Sequence, residues 1–191
     1  VQTCALPICV LAASLLSLQV PFLPVHLLFI NLVTDSLPAI AIGMERSTKD
    51  ILKEKPRNPS VGILTPATMK QLGIQGILIA IVTMSAYFLG LKESWAIATT
   101  MAFSTLCLSR LFHGFNCRSQ RSLYRIGLFT NKYSILAFVI GFCFLNAILL
   151  WQPLHSLFSV TTITMTQLFT IYGLALIPTA LIQLGRMLRH R

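Results

Sequence analysis

Long apolar runs separated by short polar stretches organise this chain. The first run, Ile8 to Leu18, is too short to cross a bilayer, which takes a helix of about 20 residues. No Lys or Arg precedes it and no small-residue cleavage site follows Gln19, so a truncated transmembrane helix fits better than a secretory leader. Five runs of spanning length follow: Val25 to Gly43, Leu72 to Leu91, Trp95 to about Phe115, Tyr133 to Trp151, and Met165 to about Leu184. The pattern predicts an all-α polytopic transmembrane helix bundle with five complete spans and an N-terminal helix stub.

Composition narrows the function classes. Of 191 residues, 55% are hydrophobic and 10% charged, and the mean hydropathy is +0.76. Soluble domains carry about 25% charged residues, so a water-soluble fold is excluded. The net charge of +10 would suit a nucleic-acid partner. Such proteins spread polar residues throughout, whereas here the charges sit only between apolar runs, so no nucleic-acid partner is expected and the lipid bilayer is. The spans leave no room for a nucleotide-binding domain of about 100 residues, and the chain has no glycine-rich phosphate loop and no nucleophile elbow.

Lys and Arg set the orientation. Arg46, Lys49, Lys53, Lys55, Arg57 and Lys70 lie between the second and third spans, counting the stub as first. Arg118, Arg121, Arg125 and Lys132 lie between the fourth and fifth, and Arg186, Arg189 and Arg191 close the chain. The opposite side holds only Lys92 beside Glu93. The positive-inside rule predicts a multi-pass cell-membrane protein with these groups, and the C-terminus, in the cytoplasm.

Two ionisable residues remain inside apolar runs, Asp35 and Arg110. A charge at that depth costs several kcal/mol and marks a candidate functional site. Asp35 lies ten residues beyond Val25, about 15 Å into the membrane. In Asn31-Leu32-Val33-Thr34-Asp35-Ser36-Leu37-Pro38, positions 31, 34 and 35 share one face of an α-helix. They offer an amide oxygen, a hydroxyl and a carboxylate, the oxygen donors that hard cations such as Ca²⁺ take. Mn²⁺ accepts the same donors. Pro38 frees the Thr34 carbonyl, and an unwound helix beside a midplane acid suits an ion-transport site. The alternative is a polar cluster that only holds helices together. Arg110 has two readings as well, a snorkelling interfacial anchor or a buried charge partner of the ion site. His26, His113 and His155 near span ends are expected at interfaces, as is His190 in the tail. Asn116 and Asn131 are expected in cytoplasmic turns, and Asn146 as a helix-packing amide. Cys4, Cys9, Cys107, Cys117 and Cys143 form no metal or disulfide pattern and read as buried thiols.

The stretch from Pro24 to Glu45, with its Asn-Leu-Val-Thr-Asp core, resembles the sixth transmembrane helix of P-type Ca²⁺-transporting ATPases, nearest the sarco/endoplasmic-reticulum type and its bacterial relatives. The likeness continues through Asp50 to Pro59 and, more weakly, through Thr100-Met101-Ala102 to the end of the chain. The resemblance implies helices five (the stub) to ten of such a pump, with Asn31, Thr34 and Asp35 as cation ligands. It implies transported Ca²⁺ exchanged for protons, with ATP and Mg²⁺ bound by the missing N-terminal half. Arg110 falls where two-calcium members carry a glutamate. A guanidinium there would repel a second Ca²⁺, so one ion is expected. Where family members have an Asn and a Glu in helix five, this chain has Thr3 and Leu6. Residues 1–8, VQTCALPI, read as a frame of a common sequencing-library adapter, which leaves residues 9–191 as the C-terminal transmembrane domain. A secondary cation/proton exchanger or a structural membrane subunit is the rival reading. Exchangers are often built from inverted repeats, and Asn-Leu-Val-Thr-Asp occurs once.

Overall fold

In water-free surroundings every backbone N–H and C=O must be satisfied within the protein, and uninterrupted helices do this locally. The computed structural model describes residues 2–45, 65–118, 127 and 130–189. Among them every regular element is helical. The order is α1 (Gln2–Leu15), α2 (Pro24–Phe29), a π-helical turn (Ile30–Asp35), α3 (Ser36–Gly43), α4 (Pro66–Leu91), α5 (Trp95–Cys117), α6 (Lys132–Leu150), the short α7 (Pro153–Phe158) and α8 (Met165–Arg189). Five segments are long and apolar enough to cross a membrane: Pro24–Gly43, Thr68–Leu91, Trp95–Cys117, Lys132–Leu150 and Met165–Leu188. The stub α1, with 14 residues, reaches about 21 Å at 1.5 Å per residue, short of a bilayer core. The basic positions 46, 49, 53, 55, 57, 121, 125 and 191, the segment 50–59 and His190 lie outside the described residues.

Local chemistry fixes the ends. Thr65 Oγ1 accepts the Thr68 amide at 3.2 Å, with Pro66 as first helical residue, so α4 starts at Pro66 rather than at Leu72. Ser94 caps α5 in the same way through the Ile97 amide. Asn131 Oδ1 takes the Tyr133 and Ser134 amides at 2.9 and 3.1 Å to start α6. At the end of α7, Ser159 adopts a left-handed conformation, φ 50°. Hydroxyls within the spans bond back to the preceding turn, as Thr83 does to the Ile79 carbonyl and Ser104 to that of Thr100.

Helix α5 is the centre of the bundle. In its most apolar window 78% of the residues are buried, against 28–50% in the other spans. It packs on α4, α6, α8 and the α3 segment, while α1 lies along α4, where the Cys9 thiol points at the Ala80 carbonyl. The α4–α5 turn is tight. A Cβ on Gly90 would lie 2.6 Å from Ala98 Cα and 2.8 Å from Ala98 N.

Two histidines depart from their sequence expectation. His26 is buried, stacked on Phe103 with ring centroids 4.4 Å apart. Its Nδ1 accepts the Leu23 amide and its Nε2 donates to the Phe158 carbonyl at 2.9 Å. His113 is also buried, because α5 is enclosed on all sides down to its last turn. Asn116 sits inside α5 rather than in a turn, and takes the Arg186 guanidinium on its carbonyl at 2.8 Å. Asn146 joins α6 to α8 through the Tyr172 hydroxyl. Of the thiols, Cys9 and Cys107 are buried, whereas Cys4, Cys117 and Cys143 are exposed.

The close α4–α5 approach yields a prediction. Gly90→Ala should destabilise the folded chain by about 1–3 kcal/mol, since backbone rather than a flexible side chain meets the new methyl. Gly73→Ala, where a Cβ would meet nothing within 4 Å, should be neutral or stabilising by up to about 1 kcal/mol. Thermal unfolding in detergent measures both, and equal melting temperatures would contradict the packing described.

Candidate functional site

Pro38 has no N–H, and its ring would collide with the carbonyl four residues earlier in a regular α-helix. The chain answers by widening the preceding turn to i→i+5 bonding over Ile30–Asp35. The helix therefore continues through a π-turn and is not unwound beside Pro38. Ser36 Oγ donates to the Asn31 carbonyl at 2.9 Å. Such bulges are frequent at functional sites.

Within the wider turn the three oxygen-bearing side chains meet different surroundings. Asn31 is exposed. Thr34 is fully buried, its hydroxyl donating to the Ile30 carbonyl at 2.8 Å. Asp35 lies between them, its side chain 27% exposed.

Asp35 faces α5 and Arg110. One guanidinium nitrogen, Nη1, reaches both carboxylate oxygens, at 2.9 and 3.0 Å. The Arg110 side chain is 2% exposed, so its charge is held inside the bundle rather than at an interface. Gly114, one turn further along the same face of α5, lets α3 come this near. A Cβ there would stand 3.3 Å from Pro38 Cβ. Arg110 and Gly114 at i and i+4 thus supply a charge and a gap to the π-turn and its proline.

A cavity of about 160 Å³ opens beside the pair, lined by Asp35, Pro38, Ala39, Leu72, His113 and Cys117. It leads from the carboxylate toward the C-terminal end of α5. Hydropathy alone does not join His113 to Asp35. The signal lay in its spacing, since 110, 113 and 114 fall on one side of a helix. Among the described residues, no three His, Cys, Asp or Glu side chains come together as a metal cluster. A cation held here would rely on one carboxylate with neutral oxygens.

A second polar group ties the same ends of three spans. Glu45, just past α3, receives Arg118 Nε at 2.9 Å and Nη2 at 2.8 Å, a two-point pairing, and also the Asn131 amide. Asn131 further donates to the Ala41 carbonyl at 3.0 Å. Hydrogen bonding to the Arg118 guanidinium holds the Glu45 carboxyl below its ordinary value. In the sequence these charges mark only topology. Their pairing follows from opposite charges placed at the same depth on neighbouring spans.

Comparison with known proteins fits this architecture. Residues 19–188 match the family described as "Cation transporting ATPase, C-terminus". A calcium-transporting ATPase of Bacillus subtilis is 35% identical over 175 residues, 90% of this chain and 20% of the relative. The calcium-transporting ATPase lmo0841 of Listeria monocytogenes is 41% identical over 71% of this chain and 16% of its own length. Human calcium-transporting ATPase type 2C member 1 is 27% identical over 85% of this chain and 18% of its own. The chain therefore spans a fifth or less of these relatives.

Both ion pairs generate tests. Removing one partner of a buried pair leaves an uncompensated charge, so Arg110→Met should cost about 3–5 kcal/mol and adding Asp35→Asn should recover much of it. A double-mutant cycle by thermal unfolding in detergent measures this, and additive losses would place the two side chains apart. For Glu45 the lowered value sets the sign. Its stabilisation is complete above the ordinary carboxyl range and disappears as pH falls through the depressed value. Between about pH 5 and 3 the wild type should lose about 1 kcal/mol more stability than Glu45→Gln. Parallel melting curves for the two proteins over that range would refute the pairing.

Proposed function

Because the chain belongs to the C-terminal family of cation-transporting ATPases, we propose that it is the membrane part of an ATP-driven Ca²⁺ efflux pump, with Asp35 as the carboxylate that takes the ion. The observation that carries this reading is the Arg110–Asp35 contact beside a π-turn and a cavity that Asp35 and His113 help to line. Ca²⁺ is cargo here, and ATP and Mg²⁺ belong to the part of the pump outside this chain.

The chemistry follows from charge balance. An isolated carboxylate inside a bundle is costly, and the Arg110 guanidinium neutralises Asp35 when no ion is bound. Ca²⁺ takes six to eight oxygens, so its arrival has to draw the carboxylate off Arg110. Thr34, Asn31 and backbone carbonyls of the widened turn are the neutral donors within reach of the same segment. The displaced guanidinium stays nearby and repels a second divalent ion, which favours one Ca²⁺ per cycle with protons returning. The cavity toward His113 and Cys117 supplies the entry side. By the distribution of Lys and Arg that side is cytoplasmic, as is the C-terminus, and the Asn-Leu-Val-Thr-Asp core supports a pump of the sarco/endoplasmic-reticulum type.

The test uses the full-length pump carrying this segment. Asp35→Asn should abolish Ca²⁺-dependent phosphorylation, since it removes the one carboxylate of the site with little change of shape. Asn31→Ala should weaken Ca²⁺ affinity, and Thr34→Ala should weaken it less if one ion binds. Arg110→Glu should alter the Ca²⁺:ATP ratio or the pH dependence of transport in proteoliposomes, with Arg110→Lys milder because it keeps the charge and loses the fork. Wild-type Ca²⁺ affinity in Asp35→Asn removes Asp35 from the site. Unchanged transport in Arg110→Glu makes Arg110 a structural residue only.

A further inference from the structure

A second cavity shares no lining residue with the one beside Asp35. A groove of about 790 Å³ runs between the first half of α4 and the last turns of α8. These helices are antiparallel neighbours, so the start of one span meets the end of the other at a single membrane face. Lys70 and Arg186 stand at that end with Thr68 and Gln71, while Ile74, Leu78 and Leu181 line the deeper part. From Lys70 to Leu78 the lining passes from cationic to apolar over eight residues, about 12 Å along the helix. Among the described residues that line it, none is acidic.

Three features specify the occupant. The first is the charge, which Lys70 and Arg186 make positive at the water-facing end and which selects an anionic group. The second is the gradient, which selects an amphiphile whose head and tail match the two ends. The third is room. Gly185 lies in the groove wall, and a Cβ there would meet nothing within 4 Å. Arg186 Nη1 is anchored to the Asn116 carbonyl at 2.8 Å, which keeps its half-buried guanidinium at the mouth of the groove. The groove also faces away from α1. Helix α1 meets α4 at Ala80, and positions 71, 75 and 78 lie on the far side of α4 from it at 100° per residue.

We propose that this groove is a binding site for one anionic phospholipid, its phosphate between Lys70 and Arg186 and its acyl chains against Ile74, Leu78 and Leu181. Basic pockets between spans recognise anionic headgroups through charge, and arginine pairs phosphate in a fixed fork. The lipid bridges the first and last complete spans of the α4–α8 group and fills space that side chains leave open.

Native mass spectrometry on the purified, delipidated full chain tests this, with dioleoyl phosphatidylglycerol, dioleoyl phosphatidylcholine and inorganic phosphate as probes. Each basic residue near an anionic headgroup contributes about fivefold, so phosphatidylglycerol should bind roughly 25-fold more tightly than phosphatidylcholine. Lys70→Ala should lower phosphatidylglycerol binding about fivefold, and adding Arg186→Gln should remove the preference. Gly185→Leu, which fills the groove without changing a charge, should weaken both lipids. Lys70 and Gly185 are exposed, so these two variants decide the matter even where Arg186→Gln fails to fold. Equal binding of the two lipids, or phosphatidylglycerol binding unchanged in both Lys70→Ala and Gly185→Leu, would overturn the proposal. Displacement of the lipid by millimolar inorganic phosphate would overturn it in favour of a soluble anion.

Discussion

One charge pair in an apolar bundle constrains the rest of this molecule. Asp35 sits in a membrane span, and Arg110 comes from the most enclosed helix to meet it at 2.9 Å. Neither charge is tolerable alone at that depth, so each dictates the position of the other. Helix α5 has to be central to deliver a buried guanidinium. The α3 segment has to approach α5 closely, which requires the small surface of Gly114 against Pro38. The π-turn follows from the same proline and turns Asp35 toward α5 while Thr34 faces the interior. At the span ends, Glu45, Arg118 and Asn131 fix the register in which these faces meet.

Much of the fold was legible because membranes impose a simple code. A run of about 20 apolar residues has few alternatives to a spanning helix, and five such helices are present among the described residues. Boundaries were less legible where caps rather than hydropathy set them. Thr65-Pro66 starts α4 while the sequence is still polar, and α8 carries its helix through Met187 and Leu188 past the apolar run. Burial was the least legible property. Hydropathy does not distinguish a lipid-facing span from an enclosed one, so His26 and His113 looked interfacial by position yet lie inside.

The Asp35–Arg110 pair was legible in identity and only partly in geometry. A lone acid and a lone arginine within apolar runs stand out in any reading of composition. The shared helical spacing of Asn31, Thr34 and Asp35 was readable, but neither the π-turn before Pro38 nor the different burial of the three side chains was. The Glu45–Arg118 pair escaped notice because charges beside a span are read first as topology. The groove between α4 and α8 could not be read at all, since it exists only where two distant stretches meet.

In the proposed cycle, Arg110 holds Asp35 until an ion replaces it. Nitrogen-15 NMR of arginine guanidinium groups in the full-length pump, recorded with and without Ca²⁺, addresses it most directly. The Arg110 signal should shift on Ca²⁺ addition in the wild type and should not respond in Asp35→Asn. An Arg110 signal that stays fixed while Ca²⁺ binds stoichiometrically to the wild-type pump would contradict it.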